Sequence, residues 1–287
     1  MRVFVAIGTV VIASVILMAA SPSADTAIGF VRSSGEFNVD GSQTRDNATL
    51  FNGAVVETSV SASHSTLRDG TRLDLGTASR ARVYSDHELL ERGTTQVHGA
   101  SHYQVIASNL QVFSTEPFRV SITQPGHVKV VALDGYAEVK NAKGTLVAMV
   151  MPGSPLEFQE AGASAPSQVS GCLQREGTHY ILRDTTTNTV IELIGTDLDK
   201  YVGKQVTVTG SVDSSVTPAP GATQVIQVTN LKAGSGTGCK PIAAAGMSGA
   251  AKAAIIGGIA VVGILAGLAA AGTFTSSAPP SVSSGAP

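Results

Sequence analysis

The sequence predicts an all-β protein of two modules, and three observations carry that prediction. Between residues 27 and 158, short runs alternate apolar and polar residues, as in Thr71-Arg72-Leu73-Asp74-Leu75, Ala81-Arg82-Val83-Tyr84 and His127-Val128-Lys129-Val130-Val131. Alternation at period two, rich in β-branched residues, marks strands with one buried face. The runs are punctuated by glycine, of which the 287-residue chain has 31. No stretch of this region repeats apolar residues at the spacing of an amphipathic helix. The 43% apolar content excludes disorder throughout, and the 14% charged content excludes a highly charged coiled coil. A net charge of −2 gives no general attraction to nucleic acid.

The elements follow in order. Met1 and Arg2 precede an apolar run over residues 3–20, and small residues fill 21–24. A positive charge, an apolar core and a small-residue zone make up a secretory signal. Residues 1–24 are therefore expected to be a signal peptide or, uncleaved, a membrane anchor. The first β module is expected over 27–160. Its glycine turns share a form: Leu50-Phe51-Asn52-Gly53, Leu67-Arg68-Asp69-Gly70 and Leu90-Glu91-Arg92-Gly93, echoed by Leu133-Asp134-Gly135 and Met151-Pro152-Gly153. Asn-Gly and Asp-Gly supply the positive φ of tight hairpin turns. Their irregular spacing excludes a strict solenoid, while stacked hairpins in a sandwich or a short β-roll both fit.

The stretches RDGTRLDLGTASRARV, ELLERGTTQVHG, FRVSITQPGHVKVVALDGYAEV and VAMVMPGSPLEF, within residues 45–158, resemble the FecR domain of bacterial envelope sensors. Asp69-Gly70-Thr71, Leu90-Glu91-Arg92-Gly93, Phe118-Arg119-Val120 and Leu133-Asp134-Gly135 with Val139 stand at that family's turn-and-strand motifs. Ser114-Thr115 departs from its usual Gly-Thr, and only Met1 and Arg2 stand where its regulators carry a cytoplasmic anti-sigma segment. The resemblance implies a periplasmic or extracellular interaction domain without catalytic residues, and not one that itself holds a sigma factor.

Residues 161–167 read as a linker, and the alternation restarts at 169–173, 180–183, 189–194, 205–212 and 224–230. The run LDKYVGKQVTVTGSV resembles a strand of small OB-like barrels exported by bacteria. That implies five strands closing into an OB-like barrel over 168–240, which would also remove open edges. Cys172 and Cys239, the two cysteines of the chain, bracket this module. In an exported protein such a pair reads as a disulfide, with two buried or reactive thiols as the alternative. Acidic and basic residues balance here and the aromatics are Tyr180 and Tyr201, so the basic groove and stacking rings of a nucleic-acid site are missing.

Residues 253–272 carry no charge, the length of a membrane-crossing helix. A transmembrane helix is expected over 251–272, with Gly263 and Gly267 as a G-x-x-x-G pair packing against a second copy. The alternative is a low-complexity Gly/Ala tail. Lys240 and Lys252 leave its orientation open, and 273–287 reads as a disordered tail.

His98 and His102, with Asp86-His87-Glu88, are the residues that could meet at a metal, although solvated histidines are the simpler reading. No G-x-S-x-G elbow or phosphate-binding loop occurs, and no catalytic, metal or cofactor residue is assigned. The expectation is a non-enzymatic, exported, membrane-associated envelope protein with its β domains in the periplasm or outside the cell. It would bind or scaffold there, with the membrane and envelope proteins or glycans as partners, self-association through the C-terminal helix, and no nucleic acid. The alternative is a sensory component of a sigma/anti-sigma surface-signalling system; a glycan-active or other hydrolase ranks third.

Overall fold

The computed structural model describes residues 26–99, 103–160, 166–234, 239, 253–256 and 259–263. The expected signal peptide, residues 161–165 of the expected linker and the expected tail lie outside the described residues. The first module begins with β1 (Ala27–Ser33), β2 (Phe37–Val39), β3 (Ser42–Thr44), β4 (Asn47–Phe51), β5 (Ala54–Thr58), β6 (Ser63–Leu67), β7 (Arg72–Leu75) and β8 (Arg80–Val83). It continues with β9 (His87–His98), β10 (Gln104–Ala107), β11 (Leu110–Phe113), β12 (Phe118–Gln124), β13 (His127–Ala132), β14 (Ala137–Asn141), β15 (Leu146–Val150) and β16 (Leu156–Glu160).

These strands make two sheets. The first runs β4-β1-β6-β7-β9-β12-β13-β16 and is antiparallel throughout. The second runs β3-β2-β5-β8-β9-β10-β11-β14-β15, with one parallel pair, β9 with β10. Val31, Leu73, Val120 and Val130 of the first sheet and Val56, Val83, Val105 and Val139 of the second belong to one buried cluster. Alternate residues of both sheets thus share a core, as period-two patterning requires.

The repeated glycine turns do something other than close hairpins. Among the five, only the Leu67–Gly70 turn joins two paired strands, β6 and β7. Gly53, Gly135 and Gly153 stand between β4 and β5, β13 and β14, and β15 and β16, and each pair is divided between the two sheets. Gly93 lies inside β9, whose first half pairs with β8 and β10 in the second sheet and whose second half pairs with β7 and β12 in the first. All five glycines have positive φ. A left-handed residue turns the chain sharply whether the next strand returns beside the last or crosses the core, so the motif alone does not distinguish hairpin from corner.

The second module comprises β17 (Ser167–Glu176), β18 (His179–Asp184), β19 (Val190–Ile194), β20 (Gln205–Val212) and β21 (Gln224–Ala233), with a 3-10 turn at Leu198–Tyr201. Pairing runs β17-β18-β19-β21-β20 and back to β17, a closed five-stranded barrel in which β19 and β21 are parallel. Val169, Leu173, Leu182, Ile191, Val206 and Ile226 fill it. The β18–β19 hairpin loop is organised by Asp184, fully buried, whose carboxylate accepts from the Ser170, Thr186 and Thr187 amides and the Thr187 hydroxyl at 2.8–3.1 Å. Burial still pushes this carboxyl up from its ordinary value, against those four bonds. Cys172 on β17 is bonded to Cys239, with a Cα–Cα distance of 5.6 Å. Closing a loop of 67 residues stabilises by about 4 kcal/mol in the chain-entropy account.

The expected transmembrane helix requires correction. Its described part is a β-hairpin, β22 (Ala253–Ile256) with β23 (Ile259–Gly263), and no helix among the described residues is long and apolar enough to cross a membrane. β23 lies along β16, with Gly263 opposite Leu156 rather than in a helix seam, and β22 meets β17 at the Gln168–Ile255 pair. Gly267 lies outside the described residues. An unbroken apolar run has no period, so it suits a strand buried on both sides as well as a helix. Ile and Val favour the strand, and the open β16 edge offers the hydrogen bonds. The hairpin buries Ala254, Ile256, Ile259 and Val261 and carries the first sheet across to the barrel. The modules also touch where the Met149 amide donates to the Thr187 carbonyl at 2.7 Å and Asn188 Nδ2 donates to the Met149 carbonyl at 3.3 Å.

Two outcomes follow. A Cβ on Gly93 would stand 2.1 Å from Ser79 Oγ and 2.6 Å from Ser79 Cα, at φ 84°. Gly93→Ala should therefore cost about 2–4 kcal/mol in urea unfolding. A chain ending at Lys252 should show faster hydrogen exchange at the β16 amides bonded to β23, with barrel amides on β18 and β19 unchanged.

Candidate interaction surface

Alternation sends every second residue of the first sheet out of the core, and the register sorts them into rows. Arg32 on β1 stands opposite His64 on β6, His64 opposite Asp74 on β7, Asp74 opposite Gln96 on β9, and Gln96 opposite Arg119 on β12. In the next row Phe30 faces Thr66, Thr66 faces Arg72 and Arg72 faces His98.

The first row is joined by hydrogen bonds. His64 Nδ1 lies 2.7 Å from Asp74 Oδ1, and His98 Nε2 lies 3.0 Å from Asp74 Oδ2. Gln96 Nε2 is 2.7 Å from His98 Nε2, and Gln96 Oε1 accepts from Arg119 Nε and Nη2 at 3.1 and 2.7 Å. Burial lowers the Arg119 guanidinium from its ordinary value. Asp74 is thus spent on two histidines, while Arg32 and Arg72 are exposed. The opposite sheet differs: Glu57 pairs with Arg80 and Arg92, and Arg80 also with Glu91. Although desolvation opposes it, those partners hold the Glu57 carboxyl below its ordinary value. On that face Arg82 is left without an ion pair among the described residues and donates to the Gly53 carbonyl at 3.4 Å, and on the first face Arg32 and Arg72 are left so.

The residues that sequence placed near a metal are separated. Asp86 is exposed and pairs with His87, whose ring stacks on Tyr84 at 4.4 Å between centroids. Glu88, next along, points inward and is 1% exposed. His98 stands at the far end of β9 in the other sheet, and His102 lies outside the described residues. Among the described residues no group of three His, Cys, Asp or Glu is arranged to hold a metal. Sequence patterning could place Arg72 and Asp74 on one strand face. It could not bring His64 and His98 to them, because that needs the order of three strands.

A cleft of about 440 Å³ lies at one end of the sandwich, lined by Ala27, Asn52, Arg68, Asp69 and Ser85 among others. In the core, burial pushes the Glu88 carboxyl up to about 7, and its Oε1 has no hydrogen-bond partner among the described residues. The neighbouring Tyr103 hydroxyl, also pushed up by burial, donates to the Tyr84 carbonyl at 3.3 Å.

No protein-family model and no curated protein matches the chain. Two crystal structures of a candidate anti-sigma factor from Parabacteroides distasonis, at 1.65 and 2.50 Å resolution, are similar at 17% identity and a TM-score of 0.31. The match covers 37% of this chain and 54% of that one, so this chain spans about half the length of the protein it matches.

Glu88 makes stability depend on pH. The folded chain holds its proton between an unfolded value near 4.5 and about 7. Stability should be fullest below the lower value and fall by about 3 kcal/mol as pH rises through that window. Glu88→Gln should flatten the curve in urea unfolding from pH 4.5 to 8 and leave the variant more stable than the parent at pH 8.

Proposed function

We propose that this chain is a non-enzymatic protein of a bacterial cell envelope, exported and membrane-associated, whose β modules bind or scaffold outside the cytoplasm. The observation that carries the reading is the Cys172–Cys239 disulfide, because such bonds persist in oxidising compartments and are rare in the cytosol. Two rigid modules joined by the hairpin and the Met149–Thr187 contact suit presentation of a surface. Residues 1–24 would supply the export signal, and the FecR-like motifs from Asp69 to Val139 would mark the first module as an interaction domain. Those motifs also favour the second reading, a sensory component of a surface-signalling system.

The test is cell fractionation with carbonate and detergent extraction of the full-length protein, followed by intact mass without reductant. The expected result is full-length protein in the envelope fraction, lacking residues 1–24 and two hydrogens lighter than the dithiol. Full-length protein in the cytosolic fraction, carrying Met1 and two free thiols, would overturn the proposal.

A further inference from the structure

We propose that the outer face of the first sheet binds an acidic glycan, a saccharide polymer carrying carboxylates; this rests on the envelope reading above and names the ligand for it. The face carries cations without partners: Arg32 and Arg72 make no ion pair among the described residues, and neither does Lys129, outward on β13. Its acids are engaged, Asp74 by His64 and His98 and Glu157 by His127 at 2.9 Å. The chain as a whole is negative, whereas this face holds three cations outside any ion pair among the described residues.

The same face presents aromatic rings. Phe30 is 49% and Phe51 is 41% exposed. They stand on adjacent strands, Phe30 opposite Thr49 and Phe51 two residues further along β4, a diagonal within reach of aromatic side chains. A flat apolar ring accepts the C–H face of a sugar, while a guanidinium beside it takes a carboxylate through two parallel hydrogen bonds. Peptides that add to a sheet need an open strand edge; in this sheet that edge is β4, which pairs only with β1, while β1, β6, β7, β9, β12, β13 and β16 across the face are paired on both sides. Recognition on this face therefore falls to side chains, which suits a polyanion laid across the strands.

The test measures binding of full-length protein to immobilised polygalacturonate, with dextran, poly-glutamate and oligo-dT as rivals, at 50 and 300 mM salt. Polygalacturonate should bind best, and more weakly at the higher salt. Arg32→Ala/Arg72→Ala should weaken it roughly tenfold and Phe30→Ala roughly fivefold, with melting temperatures unchanged because all three side chains are exposed. Equal binding by the variants, or poly-glutamate or oligo-dT binding as tightly as polygalacturonate, would overturn the inference, as would no binding at all. Cytosolic fractionation with this binding intact would instead strike only the envelope assignment.

Discussion

Strand β9 belongs to both sheets of the first module, and its bend at Gly93 decides what can pack against what. Before the bend it holds β8 and β10, and after it β7 and β12. Leu90 and Val97, on either side of the bend, both point into the core. Alternation must be reset at the bend for that to happen, since a one-residue slip would turn the second half of the strand inside out. The space for the reset exists because residue 93 has no side chain and Ser79 fills the gap, its hydroxyl accepting from the Thr94 amide at 2.9 Å. The outward row of Gln96 and His98 owes its position to the same bend.

Three buried carboxylates show how differently this fold treats the same group. Asp184 is surrounded by donors and fixes a loop. Glu192, 6% exposed, takes His179 Nδ1 at 2.6 Å and the Ala219 amide at 2.7 Å, tying the barrel to the β20–β21 connection. Glu88, 1% exposed, has an Oε1 without a hydrogen-bond partner among the described residues. The first two are satisfied networks, and such groups specify a unique arrangement. The third is a polar group the core tolerates at a cost, relieved when it is protonated.

The barrel was nearly complete in the sequence. Five alternating runs separated by turn residues correspond to β17 through β21, and the cysteines at their ends are joined. Strands of the first module were legible for the same reason, but their assignment to sheets was not. Gly53, Gly70 and Gly93 end similar tetrapeptides, yet one closes a hairpin, one crosses the core and one bends a single strand. That difference lies in contacts tens of residues away. The C-terminal run failed for another cause: a segment with no polar residue has no period, and its structure is chosen by whatever edge is open nearby. The polar surface needed register as well as pattern, because His64, Asp74 and His98 are dispersed over 35 positions of the chain.

The hairpin at 253–263 lies in the middle of the joined sheets but follows both modules in the chain. A ribosome or export channel delivers residues in sequence order, so β16 and β17 emerge before anything exists to fill the space between them. Each module can close its own core in that interval, since neither β9 nor the barrel ring waits for later residues. Their union cannot be completed until about a hundred residues after β16 have appeared. During that time the β16 backbone is an unoccupied template, and any apolar strand passing by competes for the place that the chain's own segment is still on its way to take.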